Sequence, residues 1–563
     1  MAHSRGREVS APRTLAGLLR ARAQSQGDKL AIRYKEEDGW LPRTWGETWE
    51  EARAVAAALH SRGVRPGDGV LLLVPEVHAS VSTLFGVWAL GAVPSILGVP
   101  YRLADLDAYL EQLRSTARKL DARALVLSGA LAGMASEDES LPLIVADTLV
   151  QEGRGTTFRP EPDAALGPCL VQLTSGSTSH PRGVVLSHQR VMLHMAAMSQ
   201  ALPSPANAAA VSWLPLHHDM GLLGGLLFPL FNNFPAHLLS PLDFRQRPFC
   251  WLEAMSQFRA TICAAPPSAY AICLGLANRA KEAGLDLSAW EVAMIGAEPI
   301  SPELLRRFSD RFLPCGFRAE AFFPVYGLAE ATVAVTFPEK LAPTVVDRVD
   351  RATLEREGRA VPSTGGLGAL ELTGVGRPIP HTGLRLVDEN EQPVPERTQG
   401  EILVRSATLM EGYYREPELT AACLQKGWLR TGDLGYLANG TLFITGRKKE
   451  LIIKGGHNLI PSILEEIASE VEGVRAGCVA AVGVRSEHRQ TEQVYVLAET
   501  KLEPEAQGPL GESIRERLRA HGIAIDYVLL VAPGLLPKTT SGKLKRRAIS
   551  EAIASGQLTG TRV

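Results

Sequence analysis

Apolar residues recur along this chain in two alternating rhythms, and their order lays out most of its elements. Ala52, Val55, Ala56 and Leu59 fall at helical spacing behind Thr48-Trp49-Glu50-Glu51, which reads as a capping box, and Gly63 ends the run. Arg65-Pro66-Gly67-Asp68-Gly69 then turns into Val70-Leu71-Leu72-Leu73-Val74, a continuous apolar run of the kind found in strands covered on both faces. The alternation returns as a helix over Leu106 to Leu120 and a strand over Ala124 to Leu127. Short strands around Val171 to Leu173 and Val184 to Leu186 flank a glycine-rich turn, and His188 to Ala201 follows as a helix. Helices and strands alternating in this way predict parallel sheets layered with helices, an α/β fold.

Beyond Leu434 the elements shorten. Asn439-Gly440 predicts a hairpin turn into Thr441 to Thr445, a helix carries Ile463, Ile467 and Val471 on one side, and strands are expected at Cys478 to Val484 and Gln493 to Ala498. This tail reads as a separate small α+β unit. The expected division is a large N-terminal domain of layered helices and sheets over 1–446 and a smaller, mobile C-terminal domain over 447–563. The polar Gly446-Arg447-Lys448-Lys449-Glu450 between them suits a hinge.

Composition narrows the partners. A chain of 563 residues with 45% hydrophobic and 21% charged content has room for several domains with large cores. A net charge of -2 offers no basic field for nucleic acid, which leaves small molecules and proteins. Seven scattered cysteines without paired or metal-ligand spacing, and a polar start over Met1 to Ser10, point to a reducing cytoplasm. Val77 to Tyr101 and Met220 to Leu242 lack any Asp, Glu, Lys or Arg. Breaks at Gly91, Pro94, Gly98, Pro229 and Pro235 suit elements buried in a core better than a membrane span.

The turn between the two short strands, Thr174-Ser175-Gly176-Ser177-Thr178-Ser179-His180-Pro181-Arg182-Gly183, carries the first chemistry. Small hydroxyl residues around glycine let the backbone approach an anion closely, so N–H groups and hydroxyls can converge on phosphate oxygens. Its glycines are too far apart for the usual nucleoside-triphosphatase loop, and no Gly-Lys-Ser/Thr follows. Further landmarks come in order: Ser212-Trp213-Leu214-Pro215, His217-His218-Asp219-Met220-Gly221, Gly296-Ala297-Glu298-Pro299, Tyr326-Gly327-Leu328-Ala329-Glu330-Ala331-Thr332, Gly400-Glu401-Ile402, Trp428-Leu429-Arg430-Thr431-Gly432-Asp433, Gly446-Arg447 and Pro537-Lys538-Thr539-Thr540-Ser541-Gly542-Lys543-Leu544.

This succession resembles the adenylate-forming superfamily of acyl-CoA synthetases, luciferases and peptide-synthetase adenylation domains, from about Leu15 to Ala548. The Ser212 to Gly221 and Gly327 to Thr332 stretches look most like fatty acyl-AMP ligases. A long segment between Glu330 and Gly400, including Thr344 to Ala352, lies where those ligases carry an insertion thought to hinder the swing toward a CoA-competent state.

The resemblance implies ATP as substrate and Mg2+ as cofactor. It places Thr174, Ser175, Gly176, Ser177 and Thr178 on the β- and γ-phosphates, Tyr326 and Gly327 with Gly296, Ala297 and Glu298 around adenine, and Asp433 on the ribose hydroxyls. Arg447 adds a ribose or phosphate contact, and Glu330 holds the metal, a hard cation that favours carboxylate and phosphate oxygens. Lys543 is the catalytic cation between carboxylate and α-phosphate, withdrawn after adenylation by rotation about Lys449. His218 either gates the acyl tunnel or satisfies a buried hydrogen bond, and His217 receives no role. Arg182 stands where many relatives have lysine, which keeps the charge and changes the donor geometry.

The implied reaction activates a fatty acid as its acyl adenylate and passes it to the thiol of a holo acyl carrier protein. The apolar acyl pocket is expected near Met220 to Phe228 and Pro266 to Tyr270. Each buried methylene is worth about 0.8 kcal/mol there. Two rivals stay open: a fatty acyl-CoA synthetase, with free CoA as acceptor, and an idle scaffold that binds adenylates or carriers.

Overall fold

The computed structural model describes residues 12–99, 106–133, 141–161, 166–174, 181–205, 207–366, 368–454, 457–475, 477–485, 492–538, 544–558 and 560–563. Two largely parallel sheets carry the first half. One has seven strands in the order Phe322–Pro324, Val292–Ile295, Ile262–Ala265, Ala210–Ser212, Ala236–Leu238, Leu30–Glu36 and Gly39–Thr44, and only its last pair is antiparallel. The other has four parallel strands, Val93–Ile96, Gly69–Leu73, Ala122–Leu127 and Leu143–Val145. The expected run at Val70 is one of its two inner strands, buried along nearly its whole length as a strand covered on both faces must be.

The charge-free segments fill the core. Val77–Leu90 is a helix sealed by Gly91 in the left-handed region at φ 83°, where a glycine has no Cβ to clash. Met220–Leu227 is a π-helix, running into Phe228–Phe231 and then the strand Ala236–Leu238. Among the described residues no helix is long and apolar enough to cross a membrane.

Antiparallel pieces accompany these layers. Pro168–Thr174 and Arg182–Ser187 pair across the phosphate turn, and Gly412–Tyr413 adds a third strand. A five-stranded antiparallel sheet contains Thr382–Val387, Gly400–Ser406, Trp428–Ala438 and Leu424–Gln425, with Thr441–Arg447 returning along Trp428–Ala438 through the expected Asn439-Gly440 turn. Asn439 and Gly440 both take positive φ, 52° and 74°, as that two-residue turn requires.

One expected helix start is displaced. The helix spans Trp45–Ser61, and its capping box is Thr44 with Glu47, not Thr48 with Glu51. Thr48 lies inside the helix with its hydroxyl on Thr44 O, while Glu51 is held by Arg43 at 2.6 Å and by His78 at 2.9 Å. The helix after the joint, Pro461–Ser469, likewise ends before Val471, which packs against the same core from outside it.

The smaller C-terminal domain has a four-stranded sheet of Val479–Arg485, Glu492–Glu499, Tyr527–Val531 and Thr561–Arg562, with the helices Pro461–Ser469 and Pro504–Ala520 packed beside it. Its core is shared. An arm made of the strand Val346–Asp350, the helix Arg351–Glu357 and the strand Ala369–Thr373 contributes Val349, Leu354 and Leu370 to one buried cluster with Tyr436, Phe443, Ile460, Leu464, Ile514 and Ile523. Arg351, itself buried, pairs with Glu355 at 2.8 Å and donates to the backbone oxygen of His521. The segment suspected from its length is therefore a buttress for the small domain.

Removing a buried leucine side chain costs about 2–5 kcal/mol. Leu354→Ala is expected to loosen the docked domain and speed tryptic cleavage at the exposed Lys448 and Lys449; a rate equal to wild type would show that the arm does not hold it.

Candidate active site

In sheets of this kind ligands generally bind outside the carboxyl ends of neighbouring parallel strands. Ile295 leads into Gly296, and Pro324 into Val325 and Tyr326. A Cβ on Gly296 would stand 2.8 Å from Val325 O, so the two strand ends approach this closely only because residue 296 is glycine. Ala297 sits at φ 68°, an uncommon conformation for a side-chain-bearing residue. Glu298 is not free: its carboxylate accepts from Ser268 N at 3.0 Å and Ser268 Oγ at 3.1 Å, which ties this turn to the helix Pro267–Cys273. Gly327 is equally constrained, since a Cβ there would fall 1.7 Å from Val333 O.

Tyr326 and Asp433 stand 107 positions apart, so it is long-range pairing that brings Tyr326, Asp433 and Arg447 together.

 Asp433 on the strand Trp428–Ala438 is the register partner of Arg447 at the end of Thr441–Arg447, which sets their side chains together. The Tyr326 hydroxyl donates to Asp433 Oδ2 at 2.7 Å, Arg447 Nε lies 2.8 Å from Asp433 Oδ1, and Asp433 N donates to Thr431 Oγ1 at 3.0 Å. Burial, and then the charge of Asp433, holds the Tyr326 phenol well above its ordinary range, so it stays a donor. The same carboxylate raises the Arg447 guanidinium above its ordinary value. Asp433 is 4% exposed and each oxygen keeps a further lone pair, the acceptor pattern that a ribose diol needs.

Glu330 stands on the next turn of chain, in a single 3-10 turn over Ala329–Ala331. Tyr413 donates its hydroxyl to Glu330 Oε1 at 2.8 Å, and burial, followed by the Glu330 charge, raises the Tyr413 phenol and keeps it protonated. Arg182 lies over the Tyr413 ring, 5.6 Å from its centroid. A half-buried carboxylate that has spent one oxygen on a phenol retains lone pairs for a hard cation, so the residues present fit Mg2+. Tyr413 was not legible in the sequence. Its partner is 83 positions away, and no spacing rule connects the Gly412-Tyr413 strand to the acidic turn.

Thr174 closes its strand opposite Arg182, at the root of the phosphate turn. Ser175, Gly176, Ser177 and Thr178 lie outside the described residues, as does Lys543. The flanks of Lys543 are described: Lys538 bridges Leu544, and Lys545 N donates to Pro537 O at 2.9 Å. Lys449 is exposed in the turn after Arg447, and its neighbour Glu450 pairs with Arg546 at 2.5 Å. His218 is partly exposed, with Nδ1 3.5 Å from Asp219 Oδ1. His217 is partly exposed as a residue but its Nε2 is buried, and burial of the ring, then the charge of His218, pushes the imidazole down to about 3.

A model of the AMP-binding enzyme family matches residues 19–414. The long-chain-fatty-acid–AMP ligase FadD26 of Mycobacterium marinum is 33% identical over 96% of this chain and 97% of its own. A Mycobacterium tuberculosis protein, FadD21, provisionally named a fatty-acid–CoA ligase, is 32% identical over 97% of this chain and 99% of its own. A solved structure from work on fatty acyl-adenylate ligases of E. coli and L. pneumophila superposes with a TM-score of 0.88 at 31% identity, covering 97% of this chain and 99% of that one. With the Asp433 cluster and these likenesses in agreement, the chain belongs to the family of AMP-binding, adenylate-forming enzymes.

Proposed function

We propose that the protein is a fatty acyl-AMP ligase that hands its product to the phosphopantetheine thiol of a holo acyl carrier protein. The observation that carries the adenylating half is the Asp433 carboxylate, fixed by Tyr326 and Arg447, with Glu330 on the turn that follows Tyr326. A carboxylate oxygen of the fatty acid attacks the α-phosphorus of ATP, the bond to pyrophosphate breaks, and the acyl adenylate forms. The thiol sulfur then attacks the acyl carbonyl, AMP leaves, and the thiol proton passes to solvent.

In this reading Asp433 accepts the ribose hydroxyls, Tyr326 and the 296–298 turn flank adenine, and Thr174 to Thr178 grip the outer phosphates. Glu330 holds Mg2+, which when bound offsets charge on the phosphate oxygens. Arg447 pairs with Asp433 and adds a cation at the nucleotide. Lys543 enters between the two reacting anions and stabilises the charge that builds between them. The small domain, taken as 447–563, then turns about Lys449 and takes Lys543 away, which admits the thiol.

The arm favours a carrier over free CoA. Because Val349, Leu354 and Leu370 share a core with the small domain, a wide swing must either carry the arm along or expose that apolar surface. The CoA-named relative keeps the other acceptor in play, and a direct comparison decides it. With CoA and a holo carrier offered in parallel, mass spectrometry is expected to find acyl carrier in excess; efficient acyl-CoA formation would defeat the choice.

Lys543→Ala is expected to abolish fatty-acid-dependent pyrophosphate exchange while ATP binding stays within a few fold; undiminished exchange would remove Lys543 from the mechanism. Asp433→Asn places an amide donor against the Tyr326 and Arg447 donors. Losing hydrogen bonds to a charged group is expected to lower kcat/KM for ATP about 10- to 100-fold, and an unchanged value would take Asp433 out of the nucleotide site.

A further inference from the structure

The helix His188–Ala201 leaves directly from the strand that follows the phosphate turn, and it carries a buried imidazole that the mechanism above does not use. His194 is 1% exposed. Its Nε2 lies 3.1 Å from Ala334 N, and its Nδ1 lies 3.0 Å from Thr408 Oγ1. A backbone N–H can only donate, so Nε2 carries no proton and Nδ1–H donates to Thr408. Burial holds the group neutral, at about 3, in keeping with that tautomer.

The two contacts reach two separate segments. Ala334 ends the turn that begins at Glu330, and Thr408 begins the stretch that ends at Tyr413. Those segments are also joined to each other: Met410 N donates to Glu330 O at 2.8 Å, and Thr332 Oγ1 donates to Thr408 O. Arg190, one helical turn before His194 on the same face, donates to Met410 O at 2.9 Å. Between them Thr332 is fully buried at φ 72° and ψ -66°, a conformation that costs a β-branched residue about 1–3 kcal/mol and persists only where its surroundings over-determine it. The His194 imidazole is one of those surroundings, because its partner Ala334 lies two residues along the chain from Thr332.

We propose that His194 is a positioning residue for the metal carboxylate. It pins the 330–334 turn and the 408–413 stretch to the helix that follows the phosphate turn, and so sets where Glu330 and its partner Tyr413 stand relative to the phosphates. The inference rests on the reading of Glu330 as the Mg2+ ligand. A histidine that merely filled a core position would affect stability without touching metal dependence.

The test compares full-length wild type, His194→Ala, His194→Gln, Thr408→Val and Glu330→Gln by calorimetry of ATP binding, once with excess Mg2+ and once in EDTA. Pyrophosphate exchange is followed across Mg2+ concentration in parallel. Loss of a partner that orients a metal ligand typically costs about 10- to 100-fold in metal affinity. His194→Ala is therefore expected to weaken binding of Mg2+-ATP and to raise the half-saturating Mg2+ by about tenfold, with ATP binding in EDTA unchanged. In His194→Gln the amide oxygen can take the place of Nε2 before Ala334 N, and most of the loss is expected to return. Thr408→Val removes only the hydroxyl and keeps the oxygen that Thr332 uses; it is expected to shift metal dependence in the same direction, and it decides the matter should His194→Ala not fold. Equal losses with and without Mg2+, or wild-type metal dependence in His194→Ala and Thr408→Val beside a shifted Glu330→Gln, would overturn the positioning role alone. Wild-type metal dependence in Glu330→Gln would instead overturn the metal reading, and this inference with it.

Discussion

The contact on which the rest of the site depends is the one between Asp433 and its two donors. A carboxylate 4% exposed would carry a desolvation cost if left alone, and Tyr326 and Arg447 offset it from opposite sides. Tyr326 comes from a strand end of the seven-stranded sheet, whereas Asp433 and Arg447 face each other on an antiparallel hairpin. The hydrogen bond therefore fixes one sheet against the other. Arg447 is also the last residue of its strand, so the charge that meets the nucleotide site stands at the start of the joint.

A second layer of contacts holds the acidic turn. Glu330 has a phenol on its carboxylate and an amide on its backbone oxygen, both from the 408–413 stretch, and that stretch is held in turn by Arg190 and His194. Few of these donors are flexible surface groups. Rigid partners suit a reaction in which two anions must be brought together, because donors already aimed at developing charge need no rearrangement as it forms.

How much of this could be read from the chain depends on whether the signal was local. Val70 to Leu73, Val184 to Leu186 and His188 to Ala201 appear as expected because each obeys one period over its own length. The capping box was misplaced for a local reason too. Thr44-Trp45-Gly46-Glu47 and Thr48-Trp49-Glu50-Glu51 both satisfy the pattern, and the choice between them is made by Arg43 and His78, which occupy Glu51. Tyr413, Thr408 and His194 carried no local signal at all, since their partners come from distant parts of the chain. The arm at Val346–Thr373 lay between: its length was visible, while the surface it covers depends on residues beyond the joint.

That shared surface limits how the chain can be taken apart. A fragment beginning after the joint would keep Ile460, Leu464, Ile514 and Ile523 but lose Val349, Leu354, Leu370, Tyr436 and Phe443, which cover them. The carboxy-terminal piece is consequently no interchangeable cassette. A chimera that grafts it onto a relative must bring the Val346–Thr373 arm with it, or leave an apolar face open to aggregation.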